Sequence, residues 1–458
     1  MASGVLVVRY LRLGLAMAAV VAIVSLGLAP ARAETLLDAL ASAYSNNPTL
    51  NAQRASLRAT DEGVPQALGG YRPTIAGSGS AGISNTSGSP TAYPASVSVS
   101  IEQPIFTGFR TKNGVKAAET AVLAGRETLR STEQTVLLQA VTAFMDLVKA
   151  QANLNLQRQN VDFLQQQLNA ANDKLKVGEG TKTDVAQTQA SLAAGQSSYD
   201  AAVATLNAAI ATYEQVVGHR PKSLGAAKPV AHMLPNSLDA ALATGLANNP
   251  SILAAAYNID VASYNVNVKE GALLPAASIT GTLTHNDTGT GLTGSATDTA
   301  KLMAGISVPI YTPGADSEVR QAKETLGQRR IERDAAVASM RQAVITYWGQ
   351  RDAAEAQARA ADAQVRAQLL VLSGVQEQHK VGQSTTLDVL NSQQDLLTAR
   401  LAIVTAQHDR VVAAYSLLSA VGKLSAATLG LNVAHYDPTD HYKQVRDKWF
   451  GLRTPDGR

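Results

Sequence analysis

No cysteine occurs among the 458 residues, which excludes disulfides, thiolate catalysis and Cys-based zinc sites. Stability must then come from packing and assembly. Charge is sparse and balanced: charged residues are 16% of the chain, and loss of a leader holding Arg9, Arg12 and Arg32 would leave 36 basic against 36 acidic residues. Nucleic acid is therefore not indicated as a partner. Aromatics are only 4%, while Ala, Gln, Ser and Thr are abundant, a balance suited to helices that pack closely through small side chains. The histidines, His219, His232, His285, His379, His408, His435 and His441, are scattered and form no His-Glu-x-x-His, nucleophile-elbow or phosphate-loop pattern. No catalytic residue, metal ligand or cofactor is assigned, and the chain is read as not an enzyme.

Proline is missing where it would matter most. None lies between Pro104 and Pro221 or between Pro313 and Pro438, although the chain holds 16. At 1.5 Å per residue, a helix over 112–175 would be a rod on the order of 95 Å, far longer than a globular core uses. Apolar and small residues follow three-four spacing along these regions. In the first they are Val161, Leu164, Leu168, Ala171 and Leu175, then Val185, Thr188, Leu192, Gly195, Tyr199, Ala202, Leu206, Ala209 and Tyr213. In the second they are Val389, Ser392, Leu396, Ala399, Ile403, Ala406 and, in phase, Leu417. A seven-residue period over such lengths means coiled-coil packing. Residues 112–150 carry apolar side chains on more than one face, as a helix with neighbours on two sides would.

The N-terminus reads as a signal peptide over 1–33. Arg9 and Arg12 precede an apolar run from Leu13 to Leu28, and Ala31-Arg32-Ala33 is a small-x-small cleavage site before Glu34. The run is shorter than the roughly 20 residues that span a bilayer. No Cys follows, so a lipid-anchored lipoprotein is excluded.

The remainder is a duplication. Lys176–Val185 (KVGEGTKTDV) returns as Lys380–Val389 (KVGQSTTLDV), Asn46-Asn47-Pro48 as Asn248-Asn249-Pro250, and Pro104-Ile105-Phe106-Thr107 as Pro309-Ile310-Tyr311-Thr312. Val217-Gly218 returns as Val421-Gly422. Gly178 and Gly382 suit the left-handed residue that ends a helix, and Thr181 with Asp184, or Thr385 with Asp388, suits a capping box that starts the next. Each phrase is thus the tip of an antiparallel helical hairpin. The first repeat is placed at 34–234, with a β-hairpin at about 73–104 and a helical hairpin at about 109–218. The second is placed at 235–424, with the corresponding hairpins at about 275–309 and 314–422. Residues 425–458 read as an irregular tail that packs around the rods or stays mobile.

The strands alternate strictly. Val97, Val99 and Ile101 face opposite to Ser96, Ser98, Ser100 and Glu102, and 275–286 and 299–308 repeat the device around a Gly/Thr/Asp-rich loop at 287–298. Four strands of about ten residues suit a membrane barrel, yet four cannot close one, and an open edge in lipid costs several kcal/mol per unpaired group. Two copies would pool eight strands and three would pool twelve.

Taken together, the duplicated Asn-Asn-Pro, the Pro-Ile-Phe/Tyr strand exits and the paired Val-Gly-x-x-Thr-x-x-Asp-Val tips resemble the TolC family of outer membrane efflux proteins. The resemblance covers essentially the whole mature chain and implies three copies. The expected fold is mainly α with a membrane β-barrel: a homotrimeric α-helical tunnel topped by a twelve-stranded barrel, four strands per chain. The implied function is the exit duct of a tripartite efflux or type I secretion system. The implied partners are a periplasmic adaptor, an inner-membrane pump or ABC exporter, and outer membrane lipid. Residues matching adaptor docking are Val177, Gly178, Thr181, Val381, Gly382 and Thr385. Those matching the periplasmic gate are Asp388, Asn391, Thr183, Asp184, His379 and Ser384, where Asn391, Ser384 and His379 replace the family's second acidic ring residue, clasp Arg and clasp Tyr. By the same resemblance His379 would face Asp184, and its protonation would tighten the closed state. The alternative is a periplasmic coiled-coil adaptor, which would show one helical hairpin flanked by compact β domains.

Overall fold

The computed structural model describes residues 33–457 except 226, 228, 229, 231, 232, 291 and 292. The proposed signal peptide, apart from Ala33, and His232 lie outside the described residues. The chain opens with α1 (Leu36–Asn46), α2 (Pro48–Asp61) and α3 (Gly63–Leu68). A β-hairpin follows, β1 (Thr74–Ala81) and β2 (Ala92–Phe106), and then α4 (Arg110–Lys176) and α5 (Lys182–Val217). The order then recurs as α6 (Leu238–Asn248), α7 (Pro250–Gly271), β3 (Ala276–Thr290), β4 (Thr293–Ser307), α8 (Ala315–Lys380) and α9 (Thr386–Ala420). A short helix, α10 (Asp440–Val445), lies in the tail.

The long rods form without interruption. Helices α4 and α8 run for 67 and 66 residues, and the return helices α5 and α9 for 36 and 35. At 1.5 Å per residue α4 is about 100 Å long. The three-four positions are those that pack: Leu164, Ala171, Thr188, Leu192, Gly195, Ala202 and Tyr213 are buried in the first hairpin, and Val389, Ser392, Leu396, Ala399, Ala406 and Leu417 in the second.

The repeated Asn-Asn-Pro has a double duty that explains its recurrence. The Asn47 carboxamide oxygen accepts from Thr49 N and Leu50 N at the start of α2, while its Nδ2 donates to the Val216 carbonyl at the end of α5. Asn249 repeats this, accepting from Ser251 N and donating to the Ala420 carbonyl. One carboxamide therefore satisfies orphan groups at two helix ends, and proline follows at a first-turn position where its missing N–H costs nothing.

The strands form one antiparallel sheet in the order β1-β2-β3-β4. Its faces are the reverse of a soluble sheet. Val97, Val99 and Ile101 are exposed, whereas Ser96, Ser98 and Ser100 between them are half-buried. The same holds in β3, where Leu283 is exposed beside half-buried Thr282 and Thr284. Register aligns the apolar residues across strands: Ile75 with Ile101, Val99 with Leu283. On the other side Ser78 and Ser98 hydroxyls pair at 2.7 Å, and Ser80 and Ser96 at 2.8 Å.

Two sequence expectations need correction. Within the expected loop, residues 287–290 and 293–298 are strand: pairing continues from Asp287↔Ala296 to Thr290↔Thr293, so β2, β3 and β4 each reach 15 residues, and only β1, at 8, is shorter than expected. Alternating Thr supports extended backbone even among glycines. The tail is not wholly irregular either, since it holds α10. Of the two expectations for it, packing around the rods is what is found: Ala426, Leu429 and Leu431 enter the main core beside Leu40, Phe144 and Tyr415, and Glu133 accepts from Ala426 N at 2.8 Å. Burial pushes the Glu133 carboxyl up, against that hydrogen bond. Beyond it, His441 Nδ1 lies 3.0 Å from the buried Asp61 carboxylate.

Where the sheet meets the rods, the two repeats touch backbone to backbone. A Cβ on Gly271, at the end of α7, would run into the Gly108 carbonyl oxygen between β2 and α4, and into the Arg110 side chain. Gly271→Ala should therefore destabilise the protein by about 1–3 kcal/mol, as overpacking does. Thermal unfolding in detergent checks this: a lowered midpoint is expected, and an unchanged one shows that the two backbones separate freely.

Candidate functional site

The two hairpin tips lie side by side. Each closes by the same device. Gly178 and Gly382 adopt φ of 80° and 76°, which lets the chain turn out of α4 and α8. Thr181 and Thr385 then cap α5 and α9 in reciprocal boxes with Asp184 and Asp388. In the second tip the Asp388 carboxylate accepts from Thr385 Oγ1 at 2.6 Å, Thr385 N at 2.8 Å and Ser384 Oγ at 3.1 Å. These hydrogen bonds, the Thr385 hydroxyl first, hold Asp388 below the usual carboxylate range. Asp184 is lowered likewise, chiefly by the Thr181 hydroxyl, with a further contribution from the Thr386 hydroxyl of the second tip.

The tips are joined by a bond that sequence spacing does not disclose. Lys174 Nζ lies 2.9 Å from His379 Nε2, and His379 Nδ1 lies 2.9 Å from the Ser384 carbonyl oxygen. An ammonium can only donate and a carbonyl can only accept, so in this arrangement Nε2 accepts from Lys174 and Nδ1 donates to Ser384. The hydrogen-bond partners of His379 are thus Lys174 and the Ser384 carbonyl, while Asp184 meets the second tip through the Thr386 hydroxyl and, electrostatically, through His379.

The remaining candidate residues divide. Val177 and Val381 are 70% and 68% exposed at the extreme ends, apolar surface that nothing in this chain covers among the described residues. Thr181 and Thr385 are committed to capping, and Thr183 is exposed in the first turn of α5. Asp388 and Asn391 are exposed three positions apart on α9, and therefore on one face. Above the tips Asn391 lines a groove of about 390 Å³ with Gln157, Asn160, Ser191, Gln393 and Gln394. There Gln393 Nε2 reaches Asn160 Oδ1 at 3.4 Å, a second polar link between the hairpins. Lys174, Thr386, Asn160 and Gln393 were missed because each partner lies about two hundred residues away in sequence.

Known proteins share this architecture. A profile of the outer membrane efflux protein family matches residues 39–209 and 242–423, one match in each half. The outer membrane efflux protein BepC of Brucella suis is 45% identical over 429 residues, covering 93% of this chain and 94% of its own length. The alkaline protease secretion protein AprF of Pseudomonas aeruginosa is 25% identical, over 74% of this chain and 72% of its own. Among solved structures, the Campylobacter jejuni CmeC outer membrane channel superposes with a TM-score of 0.77 at 16% identity, over 90% of this chain and 89% of that one. Neither these proteins nor the paired hairpins support the periplasmic adaptor alternative.

The depressed carboxyls fix the acid response of the tips. A carboxyl lowered in the folded state contributes stability that is present above its unfolded value and lost as pH falls through the folded one. Amide exchange at Thr181–Asp184 and Thr385–Asp388 should therefore be alike at pH 8 and pH 5, apart from its intrinsic pH trend, and accelerate near pH 3. Thr385→Ala should give about tenfold faster exchange at neutral pH. Unchanged exchange in that variant would show that the capping boxes do not hold the tips.

Proposed function

The chain belongs to the outer membrane efflux protein family, and on that premise we propose that three copies form an outer membrane channel. It is the exit duct of a tripartite efflux or type I secretion system. Each copy supplies four strands to a twelve-stranded barrel and two helical hairpins to a periplasmic tunnel. The observation that carries this reading is the reversed sheet: its exposed face is apolar and its sheltered face is hydroxyl-lined, as a water-filled barrel in lipid requires. Length supports it too, since 15-residue strands are ample for a tilted span. In this reading the leader over 1–33 is cleaved after Ala33. Glu34, which then begins the mature chain, is buried and accepts from the Tyr213 hydroxyl at 2.7 Å and from Lys222 N at 3.2 Å. The two repeats, 34–234 and 235–424, are the duplicated unit, and the duct carries out no chemistry of its own.

The tips are the working end. Val177, Gly178, Thr181, Val381, Gly382 and Thr385 form the adaptor-docking surface, with the exposed valines as its apolar anchors. Asp388 and Asn391 face the entrance as the gate ring. His379 with Lys174 and Ser384, and Asp184 with Thr386, tie the first hairpin to the second, and Thr183 stands beside Asp184 at the same place in the gate. An inner-membrane pump or ABC exporter delivers cargo through the adaptor. Outward movement of the second hairpin must break the Lys174–His379 bond, so that bond biases the duct shut.

Planar-bilayer recordings test the reading. Purified protein should give discrete ion-conducting steps, and Lys174→Met or His379→Phe should raise mean conductance several-fold over the parent. Unchanged conductance in both variants removes the Lys174–His379 bond from the gate, and absence of conducting steps removes the channel.

A further inference from the structure

The C-terminal tail ends against the base of the sheet. Arg72, two residues before β1, donates from Nη1 to the Lys448 carbonyl at 2.8 Å, and its guanidinium stacks 4.8 Å from the Trp449 ring centroid. Upstream the segment is fixed by buried Val445 and by Arg446 against Glu119 at 3.2 Å. The turn itself is closed by Lys448 Nζ, which donates to the Arg453 carbonyl at 2.5 Å. What this firmly tethered turn presents is apolar. Trp449 is 65% exposed and Phe450 89%, and Leu452 is wholly exposed.

The level of the turn in the fold says what covers it. In an antiparallel sheet the start of β1, the end of β2, the start of β3 and the end of β4 lie along one edge. That edge carries exposed Tyr71, Phe106, Phe109, Leu274 and Tyr311, a belt of amphipathic and apolar side chains, mostly aromatic, directly below the outward apolar band. Such belts mark the boundary between hydrocarbon and headgroups. Trp449 joins the belt through Arg72, so its surroundings are continuous with the lipid-facing surface. Basic Lys448 and Arg453 flank the three apolar residues, the arrangement of a segment that lies in an interface with its cations among phosphates.

We propose that residues 448–453 are an interfacial anchor that inserts Trp449, Phe450 and Leu452 into the headgroup region of the inner leaflet of the outer membrane. The occupant of this surface is phospholipid. The anchor rests on the sheet being membrane-embedded and goes beyond it: a chain with no cysteine for lipidation fixes its periplasmic collar to the bilayer with its own C-terminus.

The chain has two tryptophans, and the other, Trp348, lies 33 residues into α8, about 50 Å along the rod from the sheet. Full-length protein is reconstituted into phosphatidylethanolamine/phosphatidylglycerol vesicles in which part of the lipid carries bromine, either close to the headgroup or near the chain ends. Shallow bromines should quench the parent more than deep ones, and Trp449→Phe should abolish the loss. A reporter at Val99→Trp, or at Leu302→Trp, in the Trp449→Phe background should be quenched by deep bromines. Quenching of that reporter with none at Trp449 overturns the anchor while leaving the barrel standing, and blue-shifted unquenched emission would assign the surface to a second copy. Deeper quenching of Trp449 than of the reporter also overturns it. No quenching at either place overturns the membrane placement itself.

Discussion

A β-sheet that turns its apolar face outward cannot stand alone. The strands β1 and β4 each have one ladder unpaired among the described residues, and the exposed face carries Val97, Val99, Ile101, Leu283 and Leu302. In water the face aggregates, and in lipid each unpaired backbone group costs several kcal/mol. Only closure removes both penalties, and the four strands among the described residues cannot close by themselves. Assembly is therefore a condition of the fold, and the absence of disulfides leaves no other staple.

Everything below the sheet follows from carrying that closed ring to a distant end. Two rods of 67 and 66 residues descend from the strands with no proline to bend them, and each returns through a tip built from one glycine and one capping box. Near the middle, the return helices end on Asn47 and Asn249, whose carboxamides bind the last carbonyls of one helix and the first amides of the next. The core around Phe144, Tyr213 and Tyr415 is concentrated at that level, where α1 and the tail wrap the rods. Stability is thus greatest mid-way, and the tips, with exposed valines and few buried contacts, are left free to move.

Much of this was legible in the sequence because it is written locally. A left-handed glycine, a Thr-x-x-Asp box, a strand alternation and a proline-free run each involve residues within a few turns of one another. The repetition of the whole set made them unambiguous. Two kinds of feature were not legible. The extended ends of β3 and β4 are hidden because Gly and Asp usually signal loops, while the register that keeps 287–290 and 293–298 extended comes from pairing with a neighbour. The links Lys174–His379, Asp184–Thr386 and Arg72–Trp449 join residues far apart in the chain, and no periodicity announces them. The family resemblance placed His379 in the gate, and the structure adds Lys174 beside it, a hydrogen-bond partner that no local pattern discloses.

The central claim is that the sheet is completed only by other copies of the same chain. Native mass spectrometry of the detergent-extracted protein, released gently from its micelle, reads the number of copies directly. The account predicts a single species of three chains. A stable species of one chain, with β1 and β4 amides protected from exchange as well as those of β2, would contradict it.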